Sequence, residues 1–362
     1  MPLVLSGTNG VTFPDSSLQT AAASPYVLKN RIINGDMRID QRNAGSQITI
    51  VSAGFDVDRF QIFKDTVAGT LYAQQSTVAP SGFYNSMLLT ANTAWTPATG
   101  DIALFQQKIE AFNTSDLSFG TASASTVTLS FWVRSSITGT YSAGLINAAN
   151  NRSYVANYTV NSANTWEQKT ITIAGDTSGT WISGTNSTGL RVNFDIGSGS
   201  TYNTTAGAWA SGFFTRTSGS VNWTQTSGAT FYITGVQLEV GTSATPFERR
   251  LYNQELANCQ RYYTQSWGSG AFSAVGNAAN GTASNGSNAV VAATFQVSMR
   301  AAPTVTLYDN TGASGKATQP FIANGLAATA GGIGVNGFKD VSGSGYTSNS
   351  AFFANYIASI EL

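Results

Sequence analysis

Apolar and polar residues alternate through residues 126–134. Val127, Leu129, Phe131 and Val133 fall on one face; Thr128, Ser130, Trp132 and Arg134 fall on the other. A period of two marks a half-buried β-strand. Residues 166–173 and 190–196 repeat it, and residues 57–63 and 103–112 fit strands of the same sheets. Over residues 231–240 the phase slips. Phe231 and Ile233 share one face, then Val236, Leu238 and Val240 share one, with the slip at Gly235. A glycine there supplies the backbone freedom that the extra residue of a β-bulge needs. The pattern predicts the last strand of a sandwich, lying at a sheet edge. Many such strands, separated by turns of Asn, Gly, Ser and Asp, predict a jelly-roll β-sandwich over residues 25–248.

Helical spacing recurs once, at Tyr252, Leu256, Cys259 and Tyr263. It predicts a short linker helix over residues 249–263, either packed on its own copies around a threefold axis or capping one sandwich. Residues 264–362 then read as a second, smaller β-sandwich. Phe295, Val297 and Met299 share a face, a strand starts after Pro303, and Tyr356 and Ile360 anchor the closing segment. The Gly, Ala, Ser and Asn stretches at 276–288 and 312–337 read as long loops, where binding often sits. Residues 1–24 alternate weakly, turn at Pro14 and Asp15, and end in small residues. They predict a short extended N-terminal attachment segment that pairs with other copies or docks on a partner; a frayed terminus is the plainer reading. The fold class expected is therefore all-β, with two sandwiches joined by one helix.

Composition narrows the function. Charged residues are only 10% of the chain, against about a quarter in ordinary soluble domains. The surface must therefore be built from Ser, Thr, Asn, Gln and Gly. Eighteen basic and eighteen acidic residues cancel, and no like-charge block occurs. Without a basic footprint, nucleic acid is not an expected partner. No apolar run is long enough for a membrane helix, so membrane insertion is not expected. The first residues lack the pattern of a signal peptide. The chain is expected to stay where it is made, or to leave by a route such as virion assembly and lysis.

There is one cysteine, Cys259, and no histidine. Internal disulfides, a tetrahedral zinc site and Ser-His or Cys-His catalysis are thereby excluded. The glycine runs lack the Lys-Ser/Thr ending of a phosphate-cradling loop. Glycoside hydrolysis needs only two carboxylates. Here the acids are scattered and often sit beside a basic residue, as at Asp58 and Arg59, so no enzyme is expected.

Aromatic faces and amides are the groups that grip sugars. Residues 197–228 form a polar stretch carrying Tyr202, Trp209, Phe213, Phe214 and Trp223. Exposing such rings is costly, so they either bind a ligand or pin the loop to the sandwich. Tyr202, Trp209 and Trp223 are carbohydrate-binding candidates, while Phe213, Phe214 and also Trp223 suit the pinning role. Trp132 joins the candidates because it lies among the polar positions of its strand. It stacks on a ligand, meets another subunit, or lies under a covering loop. Trp267, Phe272 and Tyr346, in the C-terminal loops, are candidates for a receptor-contacting tip.

Several segments resemble tail-fibre and receptor-binding proteins of bacteriophages. They are residues 30–42 (Asn-Arg-Ile-Ile-Asn-Gly-Asp-Met-Arg-Ile-Asp-Gln-Arg), Asp58-Arg-Phe60, residues 129–134 and residues 233–241. These proteins carry a jelly roll similar to carbohydrate-binding modules. Residues 255–263 with 299–305 resemble their C-terminal tip unit, and residues 10–15 their attachment segment. The likeness covers most of the chain in pieces, whose order is more specific than any one piece. It implies a homotrimeric virion fibre, made in the host cytoplasm, joined to a tail or baseplate protein through residues 1–24, and adhering to a host surface glycan. A structural fibre or decoration protein without a receptor is one alternative. A polysaccharide depolymerase is another, although such phage enzymes usually carry β-helical repeats and none is seen here. Related sugar-binding modules often open with Asn-Gly-Asp-Phe-Glu, whose glutamate helps hold a structural calcium. Here Arg38 stands at that place, which argues against the ion, while Asp36, Asp40 and Glu239 remain oxygen donors. No cofactor and no metal are expected.

Overall fold

The computed structural model describes residues 4–6, 10–12, 18–19, 29–65, 69–273 and 278–362. Strands Val4–Ser6, Gly10–Thr12 and Leu18–Gln19 pair antiparallel into a small sheet of their own. The lead-in therefore pairs within itself. The turn expected at Pro14 and Asp15 lies outside the described residues.

Two antiparallel sheets follow and form the jelly roll. The first has six strands in the order Glu167–Ile173, Val127–Ser135, Thr230–Val240, Ser86–Thr93, Thr70–Ser76 and Ile48–Ile50. The second has seven: Trp209–Ser211, Arg152–Val160, Gly139–Asn147, Thr188–Asp195, Ile102–Glu110, Gln61–Asp65 and Ala53–Phe55. Val127, Leu129, Phe131 and Val133 are fully buried, as the alternation requires. Phe131 reaches from the first sheet to the second and meets Phe194 and Tyr158 edge-on at 4.9 and 5.0 Å. Phe105 continues the layer, stacked on Phe60 at 4.9 Å. Expected strand 57–63 begins only at Gln61, because Arg59 takes a left-handed φ of 72° and turns the chain there.

The bulge forms where the phase slip placed it. Ser130 faces Gln237 and Trp132 faces Thr234, so Gly235 and Val236 together oppose Phe131. Gly235 has φ 61°, a region that side chains avoid. The strand is not at an edge, however. It lies third of six, between Val127–Ser135 and Ser86–Thr93, and changes partner on the latter side at the bulge. Residues 230–233 pair with 87–90. Beyond the bulge, the Val236 amide donates to the Gly35 carbonyl and the Arg31 amide donates to the Leu238 carbonyl, both at 2.9 Å. Asn30 fastens the new pairing, donating to the Val236 carbonyl and accepting from the Leu238 amide. A Cβ on Gly35 would stand 2.2 Å from the Val236 carbonyl, so only glycine allows this approach.

In the second β unit, the sheet path runs Ala279–Ala283, Asn288–Thr294, Gly337–Gly343, Ala323–Gly331 and Lys316–Gln319. Strand Ala351–Ser359 pairs with the first of these and meets the last at Phe353 and Thr318, so the path closes on itself. Tyr263–Gln265 and Thr304–Tyr308 flank the far half of that closing strand. The stretches read as long loops thus contain strands. Ala289, Val291 and Ala293 point inward in strict alternation, but alanine and glycine give little sequence signal of a face.

Helix Tyr252–Gln260 buries Glu255, Cys259 and Gln260 and leaves Tyr252 exposed. Glu255 accepts from the Asn34 amide and pairs with Arg250 at 3.2 Å. The helix therefore packs on residues 30–42 of its own chain. The same segment welds the two β units. Arg42 pairs with Asp58 at 3.1 Å and Glu361 at 2.8 Å, and its guanidinium lies 3.7 Å over the Tyr263 ring. Arg59 pairs with Glu361 and lies 3.4 Å over Tyr262. Arg261 bridges to Glu110 at 2.9 Å, and Arg300 donates to the Asn186, Ile360 and Glu361 carbonyls.

Candidate functional site

Most of the aromatic residues singled out from the sequence serve packing. Trp223 is 1% exposed and stacks on Phe231 at 5.9 Å, so it offers no face to a ligand. Tyr202 packs edge-on against Phe213 at 5.5 Å, with its hydroxyl on the Gly100 carbonyl. Trp209 donates to the Ala174 carbonyl at 2.7 Å and joins a cluster with Trp181, Tyr154 and Phe119. The residue that holds this polar stretch down is Arg216. It is buried, donates to the carbonyls of Ser198 and Ser220 and to Asn222, and faces Asp195 at 3.8 Å. An isolated arginine in a polar loop carries no sequence signal of that role.

Trp132 is half-buried beside the Phe83 ring. A Cβ on Gly235 would meet Phe83 at 2.7 Å and Trp132 at 3.1 Å. Phe83 packs on Phe247 at 5.2 Å, and the Arg249 guanidinium lies 4.7 Å over it. Of the three roles open to Trp132, this geometry favours cover by a loop. Of the tip candidates, Trp267 and Tyr346 turn inward, and Phe272 is half-buried. Trp267 is 9% exposed, packed on Phe272 and Tyr308 at 5.0 and 5.3 Å, with its indole N–H on the Gly270 carbonyl. Gly270 in turn donates to the Gln41 carbonyl, which ties this segment to the jelly roll. Tyr346 is 6% exposed, edge-on to Phe352, with its hydroxyl on the Ala327 carbonyl.

Among the described residues, two other tyrosines are exposed: Tyr84 at 75% and Tyr252 at 57%. They line one groove of about 590 Å³ together with Arg38, Gln74, Gln75 and Asn85. It continues, through Arg38, Ala44, Gln75 and Tyr252, into a second hollow of about 440 Å³ lined by Gln41, Leu256, Gln260 and Gln296. Tyr84 is presented by the turn that Phe83 anchors, and Tyr252 by the first residue of the helix. The floor is rigid. Gln75 donates to the Met37 carbonyl at 2.7 Å and Gln74 to the Gly45 carbonyl at 2.9 Å. Arg38 is held by Asp36 at 2.5 Å and donates to the Arg250 carbonyl. Two exposed rings over a fixed floor of amides suit hydroxyl-rich ligands with apolar C–H faces. The sequence missed Tyr84, because a lone tyrosine in a turn looks the same whether buried or exposed.

Among the described residues, one carboxylate lines the groove, Asp40, which accepts from the amides of Asn43 and Gly45. Burial pushes its pKa up from the ordinary carboxylate value. Behind it, Asp56 is fully buried, and burial followed by the charge of Asp40 raises its pKa to about 8. The oxygen donors weighed for calcium are engaged separately. Asp36 pairs with Arg38, Asp40 binds the two amides, and Glu239 accepts from Gln237 and Thr245. Among the described residues, no three or more His, Cys, Asp or Glu side chains are grouped to hold a metal.

No family model matches the chain, and no curated protein does. Among solved structures, the enzymatically active domain of tailspike protein 4 of bacteriophage CBA120 overlaps 60% of this chain and 22% of its own, at 16% identity and TM-score 0.30. The C-terminal family 22 carbohydrate-binding module of Clostridium thermocellum Xyn10B overlaps 61% of this chain and 100% of its own, at 13% identity and TM-score 0.30. The family 11 module of the Clostridium thermocellum cellulase Lic26A-Cel5E overlaps 56% and 100%, at 10% identity and TM-score 0.27. Overlaps this loose leave the fold to be read from the strand pairings themselves.

Proposed function

We propose that this chain is a non-catalytic adhesin of a phage virion, a tail-fibre protein that grips a host surface glycan in the Tyr84–Tyr252 groove. The observation that carries the reading is the pair of exposed tyrosines over an amide-lined floor. Stacking of sugar C–H faces on the rings supplies apolar burial, and the amides supply hydrogen bonds. The single, engaged carboxylate of the groove fits gripping better than hydrolysis, which needs two. The ordered resemblance of the segments to receptor-binding fibres supports the virion setting, the homotrimer and attachment through residues 1–24. Three copies of one weak site would act together as a firm one.

The test is a glycan array probed with the intact protein and with Tyr84→Ala and Tyr252→Ala. Each substitution is expected to weaken binding about tenfold, roughly 1.4 kcal/mol, the scale of losing one stacked ring. Binding that survives both changes would move the site elsewhere. No binding by the intact protein to any host-surface glycan would favour a purely structural fibre. Release of reducing ends from host polysaccharide would reveal a depolymerase.

A further inference from the structure

A separate cleft of about 450 Å³ opens between residues 114–121 and residues 179–183. Its floor is apolar: Leu117, Phe119 and Leu190 are buried. One wall is the half-buried Trp181. That ring is locked. Its N–H donates to Asp176 and to the Ser178 carbonyl, both at 3.2 Å, and Asp176 is itself gripped by Arg152. Phe119 and Trp209 meet it edge-on at 4.9 and 5.5 Å. The rim carries the hydroxyls of Thr114, Ser115, Ser118, Thr121, Thr180 and Ser183. Among the described residues, no Lys, Arg, Asp or Glu lines the cleft.

Each feature restricts the ligand. A charged group would meet no opposite charge in the lining, whereas the rim hydroxyls can hydrogen-bond a neutral polyhydroxyl ligand; Thr114, Ser115 and Thr121 already donate to backbone carbonyls and are left to accept. An immobilised indole beside hydroxyls matches a ring with one C–H face and polar edges. The volume lies within the roughly 300–1,000 Å³ of small-ligand sites. We propose that this cleft is a second saccharide site, selective for a neutral hexose unit and independent of the groove, which has Arg38 and Asp40 in its lining. Two unlike sites on one chain would let the protein read two sugars of one surface.

The experiment follows the tryptophan indole N–H signals of the ¹⁵N-labelled full chain by NMR. The probes are the neutral trisaccharides maltotriose, cellotriose, chitotriose, mannotriose and galactotriose, with Trp181→Phe identifying the Trp181 signal. The expected result is a saturable, millimolar-range shift of the Trp181 signal with at least one probe, while the signal of buried Trp223 stays in place. The shift should persist in Tyr84→Ala/Tyr252→Ala and vanish in Ile182→Arg. Ile182 is 41% exposed, and an unmoved Trp223 signal reports that the variant is folded. No saturable shift with any of the five probes overturns the proposal. So does a shift that survives Ile182→Arg, or one that disappears with the two tyrosines and therefore belongs to the groove.

Discussion

Asp56 is the residue whose chemistry most depends on its surroundings. It has no exposed surface, one carboxyl oxygen lacks a partner, and Asp40 adds a like charge. With its pKa raised to about 8, the folded protein holds a proton that the unfolded chain releases near the ordinary value of 3.8. Between these two values stability falls as pH rises, and it levels off above the higher one. Asp56→Asn, a permanently neutral isostere, removes that penalty. Its melting temperature is expected to exceed that of the parent most at pH 8, by less at pH 5, and to match it only below the ordinary carboxylate value, near pH 3. An equal shift at all these pH values would rule out a buried proton as the cause. Neither the burial nor the neighbour was legible in the sequence, where Asp56 looks like any loop acid.

At the scale of the element, the bulged strand Thr230–Val240 is the clearest case of local pattern determining structure. The slip in alternation located the extra residue, and the positive φ of Gly235 confirms why glycine occupies it. Gly235→Ala adds left-handed strain and drives a methyl toward the Phe83 ring. A loss of about 1–3 kcal/mol is expected, read from urea unfolding. An unchanged midpoint would show that the turn carrying Phe83 yields freely. The same strand shows the limit of pattern. Its edge position was expected and proved wrong, because residues 30–35 supply a partner beyond the bulge. Alternation identifies the two faces of a strand but not its neighbours.

For the whole molecule, the segments whose order gave the family resemblance meet in space. Arg42, Asp58 and Arg59 from the first β unit, and Tyr262, Tyr263 and Glu361 from the second, form one junction. Burial would raise the pKa of Glu361, but Arg59 and Arg42 outweigh it and hold the carboxyl below the usual range. Removing one partner of such a buried set leaves uncompensated charge, at a cost of about 3–5 kcal/mol. The two units are thus held together by a buried ionic junction. The proposed trimer is tested on the intact chain by light scattering. Three copies of a 37.9 kDa chain are expected in one particle, and a monomer mass would remove the avidity on which adhesion through weak sites rests.

The all-β class, the inward faces of the main strands, the bulge at Gly235 and the low charge content were legible in the residues alone. Each is a local property: a period, a phase slip, a composition. Which rings meet solvent was settled by the fold. It buried Trp223, Trp267 and Tyr346, left Trp132 half-buried and exposed Tyr84 and Tyr252. The physical reason is that exposure depends on what distant segments lay over a side chain. Arg216 pins one loop, Phe83 shields one strand, and the helix lifts Tyr252 to the rim of the groove.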